Sequence, residues 1–596
     1  MIARRARSAL AACVAVAVVA VAAAPWASGR DHAERSATEG PPTVTPDDIR
    51  FTNRTLRDGR PQQVELLPKY VGQLRDDAEA YLKPTPDHPR WPAYPGAVLL
   101  AAKDGMVVAR AAVGRAVRYE SVGPAPDRIG VELPDDQQIP TRRDTIFDVA
   151  SMSKLFTTIV VLQLVEDGLV DLDAPVARYV PEFAAGGKED VTVRMLLTHT
   201  SGLPPDPKPD LWTYPAPEDR LPSALATALD GKPGGQYVYS DTGLIALGTL
   251  VQRLTGLPLD ETVRRGITGP LGMTDTGYNP PPELLPRIAS TEWEPYVGRG
   301  MVRGEVHDEN AWSLGGVSGH AGVFSTADDL AILCQTLLNG GQYGGVRILR
   351  KASVRMALVN YNARFQSRYP DSDRGLGFQL STYSYMGPLA SPVTFGHTGY
   401  TGTSVVIDPL SHSFLLLLAN RVHPDRNWGS NTVARAKLAS DLAYAIPVRP
   451  LGDGTAWRAD REKLGTFTLT APLSDPVEDA AAEFQLWYDT DPRPDKVRFE
   501  TSTDNGKTWS PTTMKLSWAG DRWTADGEVV GYGGRHWWRV SANLPDGTTD
   551  MRWSYVTKGT APNVNAQGRG AYVDKIRVDD ADVGRVDADG WTRASD

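Results

Sequence analysis

Ser151 and Lys154 stand three residues apart in Phe147-Asp-Val-Ala-Ser151-Met-Ser-Lys154-Leu-Phe-Thr-Thr158, at the head of an apolar run. On a helix that spacing stacks two side chains on one face, so a lysine amine comes within reach of a serine hydroxyl. A serine hydroxyl is a weak nucleophile unless an adjacent base takes its proton. A lysine does so only where burial or a neighbouring cation lowers its pKa. The same residues also read as a helix cap followed by a solvated lysine, so the pair needs partners elsewhere in the chain.

The elements around the pair are those of an α+β domain. Apolar runs at 96–102 and 106–113 flank Lys103-Asp104-Gly105, which predicts a β-hairpin ahead of the Ser151 helix. That helix is expected to run to about Asp167 and stop at Gly168. Further helices are expected over 64–82, 193–199, 222–229, 240–254 and 330–338, the last behind the hydroxyl cap and early acids of Ser325-Thr-Ala-Asp-Asp329. A proline-rich loop over 204–222 is long enough to wall a cleft. Apolar runs at 403–407 and 413–419 around Asp408-Pro409 predict a second hairpin. Strands at both ends with helices between them imply one sheet that brings the ends of the domain side by side.

A chain of 596 residues holds more than one core. Its net charge of -9, with no Lys/Arg run beyond the first residues, offers no face to nucleic acid. Arg4, Arg5 and Arg7 precede an Ala/Val-rich run over 9–24, which reads as a secretory signal over 1–27 rather than a stable membrane span. Residues 28–56 then read as a polar tether, and the mature protein is expected outside the cell or on its wall. Leu10-Ala-Ala-Cys13 resembles a lipoprotein cleavage box, but the apolar run before it is too short to favour a lipid anchor. With Cys13 lost alongside the signal, Cys334 has no disulfide partner and reads as a buried thiol. After a Pro/Gly-rich linker at 447–456, nine of the fifteen tryptophans fall among short alternating runs in the last 140 residues, the pattern of an all-β sandwich over 457–596. Ser502-Thr-Asp504-Asn-Gly506-Lys-Thr508-Trp509 resembles a single Asp-box and reads as a local turn.

Three further stretches give the Ser151 pair its partners. These are Leu196-Leu-Thr-His199-Thr-Ser-Gly, Tyr239-Ser240-Asp241, and His397-Thr398-Gly399 before the second hairpin. With Ser151-Met-Ser-Lys154 they resemble, in order and spacing, the serine β-lactamase and penicillin-binding-protein superfamily, in its class C and D-Ala-D-Ala carboxypeptidase-like branch. The resemblance covers roughly 57–445 and implies a β-lactamase/transpeptidase-like antiparallel sheet with flanking helices and an all-helical subdomain. The tail resembles the jelly-roll modules of secreted proteases, which bind glycans or pack on the enzyme. A cell-wall glycan is thus one expected ligand of 457–596.

The resemblance implies Ser151 as the acylated nucleophile, Lys154 in its proton relay and Tyr239 as a second base. Thr398 and Gly399 would line the substrate, and the amides of Ser151 and Tyr400 would form the oxyanion hole. It implies no cofactor and no metal. Two positions depart from the commonest pattern. Asp241 replaces the usual asparagine and should hold Lys154 charged, which shifts proton abstraction towards Tyr239, provided Lys154 favours its phenolate. His397 replaces the usual lysine and, mostly neutral at pH 7, attracts a substrate carboxylate less. His199 reads as a tie between a helix end and a loop, and neither His307-Asp308 nor His320 has the spacing of a zinc site. The expected function is a secreted serine hydrolase that forms an acyl-enzyme on D-amino-acid peptides or small esters. A true β-lactamase and a non-catalytic wall-binding or sensor protein are the alternatives. The cleft walls at 204–222 and 361–392 carry no readable substrate code.

Overall fold

The structure, a computed structural model, describes residues 40, 43–86, 88–368, 371–452, 454–493, 495–558 and 568–596. Its first sheet runs, in spatial order, through β1 (Arg57–Asp58), β3 (Met106–Val117), β2 (Gly96–Lys103), β7 (Ser413–Ala419), β6 (Ser404–Asp408), β5 (Phe395–Thr398) and β4 (Gln379–Leu380), with Ile139–Pro140 as an eighth strand against β3. All pairings but β1 with β3 are antiparallel. The domain's two hairpins meet where β2 pairs with β7 at the centre of the sheet, as the apolar runs at both ends predict.

Both faces of that centre are covered, because side chains alternate along a strand and both sets here are apolar. Val98, Leu100, Leu416 and Leu418 join one buried cluster with α2 (Ser153–Glu166), α3 (Asp241–Thr255) and α4 (Ala327–Leu338). Leu99, Ala101, Leu415 and Leu417 join another with α1 (Pro68–Ala80) and α5 (Thr432–Ala445). Each fully buried leucine contributes about 1.5–3 kcal/mol, so the strand carrying the site hangs on a rigid support.

Several boundaries differ from expectation. The helix expected at 222–229 spans Pro217–Ala226, with a proline at its first position, acids in its first turn and Pro222 inside it. Residues 43–56 are no tether: Ile49 is buried, Thr52 N–H donates to the Leu338 carbonyl and Arg355 donates to the carbonyls of Pro46 and Ile49. In the linker Val448 is buried with Trp487 and Tyr572. The signal and most of the tether lie outside the described residues. No helix among the described residues is long and apolar enough to cross a membrane.

The C-terminal region packs an 8-stranded sheet on a 6-stranded one. Its core holds Phe484, Phe499, Trp538 and Trp553, with the Phe484 and Trp553 rings edge to face at 5.1 Å. In the Asp-box turn, Asp504 accepts from the Lys507 and Thr508 amides and from the Ser502 hydroxyl.

Candidate active site

The backbone ahead of α2 is held by one buried carboxylate. Asp148 accepts from the Ala150 amide at 2.8 Å and from the His307 amide at 2.7 Å, while its carbonyl accepts from the Thr401 hydroxyl. Ala150 takes a left-handed φ of 47°, which a β-carbon disfavours and which the surrounding bonds must impose. The turn that follows, Ala150–Met152, is a 3-10 segment, so Ser151 lies just before the helix that carries Lys154. The contact expected from a three-residue spacing still forms: Lys154 Nζ donates to Ser151 Oγ at 2.8 Å and to the His320 carbonyl at 2.9 Å.

Lys154 is buried, and Asp241 Oδ1 lies 2.8 Å from its Nζ. Burial alone would lower the lysine, but Asp241 and Tyr239 outweigh it and hold the ammonium above its ordinary range, as the aspartate at this position predicts. Tyr239 lies within hydrogen-bonding reach of both Lys154 and Ser151. Here the electrostatics differ from expectation: burial pushes the phenol upward and Lys154 reverses this only in part, so Tyr239 stays neutral. Its ring packs against that of His199, centroids 4.4 Å apart and planes tilted by 31°, and His199 Nδ1 accepts the Ser240 amide at 3.1 Å. His199 thus ties a loop to the start of α3 and fixes the tyrosine as well.

The opposite wall is β5 and the turn after it. His397 is buried, and its Nδ1 lies 2.8 Å from the Thr398 carbonyl, which makes Nδ1 the protonated nitrogen. Burial and then Arg374 push its pKa well below the ordinary value, so the ring is neutral. Thr398 lines the cavity, and Tyr400, about half exposed, sits with Arg421 over its ring at 4.4 Å. Gly399 is required by the chain itself rather than by a passing substrate. A Cβ there would meet Thr403 Oγ1 at 2.1 Å and the Val149 carbonyl oxygen at 2.4 Å, so only glycine lets the turn close on the backbone ahead of Ser151.

Ser151, Tyr239, His397, Thr398, Gly399 and Tyr400 line one cavity of about 860 Å³. Its cations are absent from the motifs that mark the other lining residues. Arg374 is buried, donates to the Tyr237 hydroxyl at 2.7 Å and lies over the Tyr239 ring at 5.5 Å. Its Nη1, His397 Nε2 and the Tyr385 hydroxyl are buried without a hydrogen-bond partner among the described residues. Arg435 of α5 donates to the carbonyls of Gly399 and Thr403, and burial lowers it to about 9. The one signal for Arg374 is the Gly375 and Gly377 that follow it. A Cβ on Gly375 would meet the Ala357 carbonyl oxygen at 1.9 Å, so only glycine lets the two backbone segments pass this closely.

The Beta-lactamase family profile matches residues 88–440. The chain belongs to the β-lactamase family. It is a serine hydrolase of that family, and its C-terminal sandwich lies beyond the matched residues. A protein of Escherichia coli K12 named "Putative D-alanyl-D-alanine carboxypeptidase" is 36% identical over 368 residues, 55% of this chain and 79% of that protein. A Salmonella typhi protein of the same name is 35% identical over 366 residues, again 55% and 79%. Among solved structures, the hydrolase EstCE1 aligns at 20% identity over 64% of this chain and 99% of its own, with a TM-score of 0.49. A penicillin-binding protein homologue from Caulobacter crescentus aligns at 22% identity over 64% and 99%, with a TM-score of 0.47.

Two groups that the sequence keeps apart do come together in this member of the family. Asp241, Asp308 and His320 gather behind Lys154, and Glu292, Glu294 and His307 gather in the interior. Both already hold cations of the chain: Lys154 pairs with Asp241, while Arg426 pairs with Glu292 and Arg299 with Glu294.

Proposed function

We propose that the chain is an exported peptidase that acts on D-amino-acid peptides through an acyl-enzyme on Ser151, with small esters as alternative acyl donors. One observation carries this reading: Ser151 Oγ, hydrogen-bonded to a buried Lys154, shares a cavity with Thr398 and with Arg374, whose Nη1 has no hydrogen-bond partner among the described residues. A nucleophile and a buried guanidinium in one cavity suit a peptide cleaved next to its free C-terminal carboxylate, which a guanidinium binds well. The name of the Escherichia coli relative supports the same substrate class. The Arg-led, Ala/Val-rich N-terminus supports export, and a wall glycan remains the proposed ligand of the sandwich.

In the proposed step Ser151 Oγ bonds to the scissile carbonyl carbon as the carbon–nitrogen bond breaks. A neutral Tyr239 conserves protons here: it passes its own to the leaving nitrogen while it takes that of Ser151. The charged Lys154 steadies the negative charge that develops on the phenol oxygen. The amides of Ser151 and Tyr400 would take the oxyanion, each such donor contributing about 10²- to 10³-fold in rate. Water then releases the acyl group by the reverse relay.

Ser151→Ala should lower both D-alanine release from a D-Ala-D-Ala peptide and p-nitrophenyl ester hydrolysis by more than about 10³-fold, and abolish labelling by a fluorescent penicillin. Unchanged turnover in the variant refutes Ser151 as nucleophile. Ester hydrolysis without peptide hydrolysis in the parent protein refutes the substrate class.

A further inference from the structure

The catalytic cavity is not closed by the hydrolase domain alone. Arg493, from the loop between the sandwich strands Ala481–Asp489 and Lys496–Ser502, lines the same cavity as Ser151. We infer that the sandwich completes the substrate cleft, with Arg493 as a specificity residue for a second carboxylate on the departing part of the substrate.

Arg493 is preorganised for such a role. Asp491, whose side chain has no exposure, accepts from the Arg493 amide at 3.0 Å, from Nε at 3.2 Å and from Nη2 at 3.3 Å. Nη1 is turned to Asp371 of the hydrolase domain, but at 3.7 Å, which is beyond hydrogen-bonding distance. The Arg493 side chain is 34% exposed and that of Asp371 47%. This is an exchangeable pair between charges open to solvent, and such a pair contributes little by itself. A ligand carboxylate can take the place of Asp371 without disturbing the buried bonds that aim the guanidinium.

The loop is also fixed relative to the catalytic strand. Arg535, nearly buried at the junction, pairs with Asp408 at the end of β6 at 2.7 Å and with Asp489 at 3.1 Å, and donates to the Leu389 carbonyl at 2.9 Å. Tyr444 of α5 donates to the Arg461 carbonyl at 3.0 Å, and Arg569 donates to the Ile446 carbonyl at 2.6 Å. The sandwich therefore sits on the hydrolase domain through buried polar contacts on several elements, not through a flexible tether.

The topology gives the direction. Ser151 shares the cavity with Thr398–Tyr400, at the end of β5. Towards the start of that strand, Gly396 faces Gln379, and Gln379 bridges to Arg374. Asp371, three residues before Arg374, and Arg493 line the same cavity. The inference rests on the peptidase reading, in which Thr398 and Arg374 take the carboxylate beside the scissile bond. Arg493 then meets what lies further out on the leaving group: an acidic side chain, or the carboxylate of a second amino acid in a branched leaving group. The charged lining, four arginines at 374, 421, 435 and 493 against Asp371, suits a doubly anionic leaving group.

The test uses the full chain with Ser151→Ala, so that binding is read without turnover, and two acetylated peptides ending in D-Ala-D-Glu and D-Ala-D-Gln. These differ by one carboxylate. The D-Glu peptide should bind about tenfold more tightly, the size of one charged contact. Arg493→Gln should bring the ratio to about one, Arg493→Lys should restore part of it, and Asp371→Asn should raise it several-fold. The opposite signs for the two partners separate recognition from a fold defect, which would weaken binding in both. A ratio unchanged in Arg493→Gln, or lowered in Asp371→Asn, overturns the inference and leaves the peptidase reading intact. Failure of both peptides to bind while the parent still cleaves esters overturns the peptidase reading and the inference with it.

Discussion

Around Ser151 the hydrolase half buries Lys154, Asp148, His397 and Arg435, whereas the interior of the sandwich is built from Trp538, Trp553, Phe484 and Phe499. Taking a charge from water costs several kcal/mol unless partners replace the lost hydration, while burying an aromatic ring is favourable from the start. The site meets that cost in two ways. Some groups are satisfied within the chain, as Lys154 is by Ser151, Asp241 and the His320 carbonyl. Others, such as Arg374 Nη1 and His397 Nε2, belong to residues that line the cavity and have no hydrogen-bond partner among the described residues. The sandwich buries charge too, at Asp489, which shares Arg535 with Asp408 of the hydrolase domain, and at Glu500, which Arg552 and Ser554 hold from within the sandwich. Around Ser151, buried charge is set against a cavity, whereas the sandwich interior is held mainly by aromatic packing.

The contrast can be broken from either side. The largest effect is expected from Trp553→Ala, which empties the centre of the sandwich core. A stability loss of about 3–5 kcal/mol should appear as a lower urea midpoint followed by tryptophan fluorescence. Little change would show that the sandwich core is not what supports this half. Arg374→Gln should act in the other sense, with the fold retained. KM for a D-Ala-D-Ala peptide should rise about 10- to 100-fold, and that for an uncharged p-nitrophenyl ester far less. An equal loss for both substrates would make Arg374 a support for Tyr239 rather than a carboxylate site.

Asp241→Asn should give the smallest change. The carboxylate 2.8 Å from Lys154 raises the lysine, so its removal lets the ammonium lose its proton at lower pH. The alkaline limb of kcat/KM should move down by about 1–2 pH units. The sign for stability follows from the same shift. A raised lysine stabilises the fold fully below its unfolded pKa and loses that contribution as pH rises through the folded value, so the variant should be less stable at pH 7 and approach the parent only in strong alkali. A profile that does not move would assign that limb to a group other than Lys154.

Much of the frame was legible because it is written locally. The apolar runs in Gly96–Lys103 and Ser413–Ala419, the Asp104-Gly105 turn and the hydroxyl cap at Thr326 each act over a few residues, and each forms as expected. The start of the helix at Pro217 was missed because a proline can open a helix as well as end one, and only the packing of that segment decides which. The anchoring of residues 43–56 was hidden for a similar reason: the Thr52 amide and the Ile49 carbonyl find their partners only where Leu338 and Arg355 come to meet them.

For the site itself, the sequence alone determined the residue types and their order: Ser151 three before Lys154, Tyr239 two before Asp241, and His397-Thr398-Gly399 ahead of the last hairpin. Tertiary structure decided the rest. Only the fold sets Asp241 against Lys154, keeps Tyr239 neutral by burying it, turns Arg374 into the cavity and brings Arg493 to its rim from another domain. The physical reason is one of range. Backbone periodicity encodes neighbours within a turn or a hairpin, whereas a protonation state depends on every charge and every layer of burial nearby, whatever part of the chain supplies them.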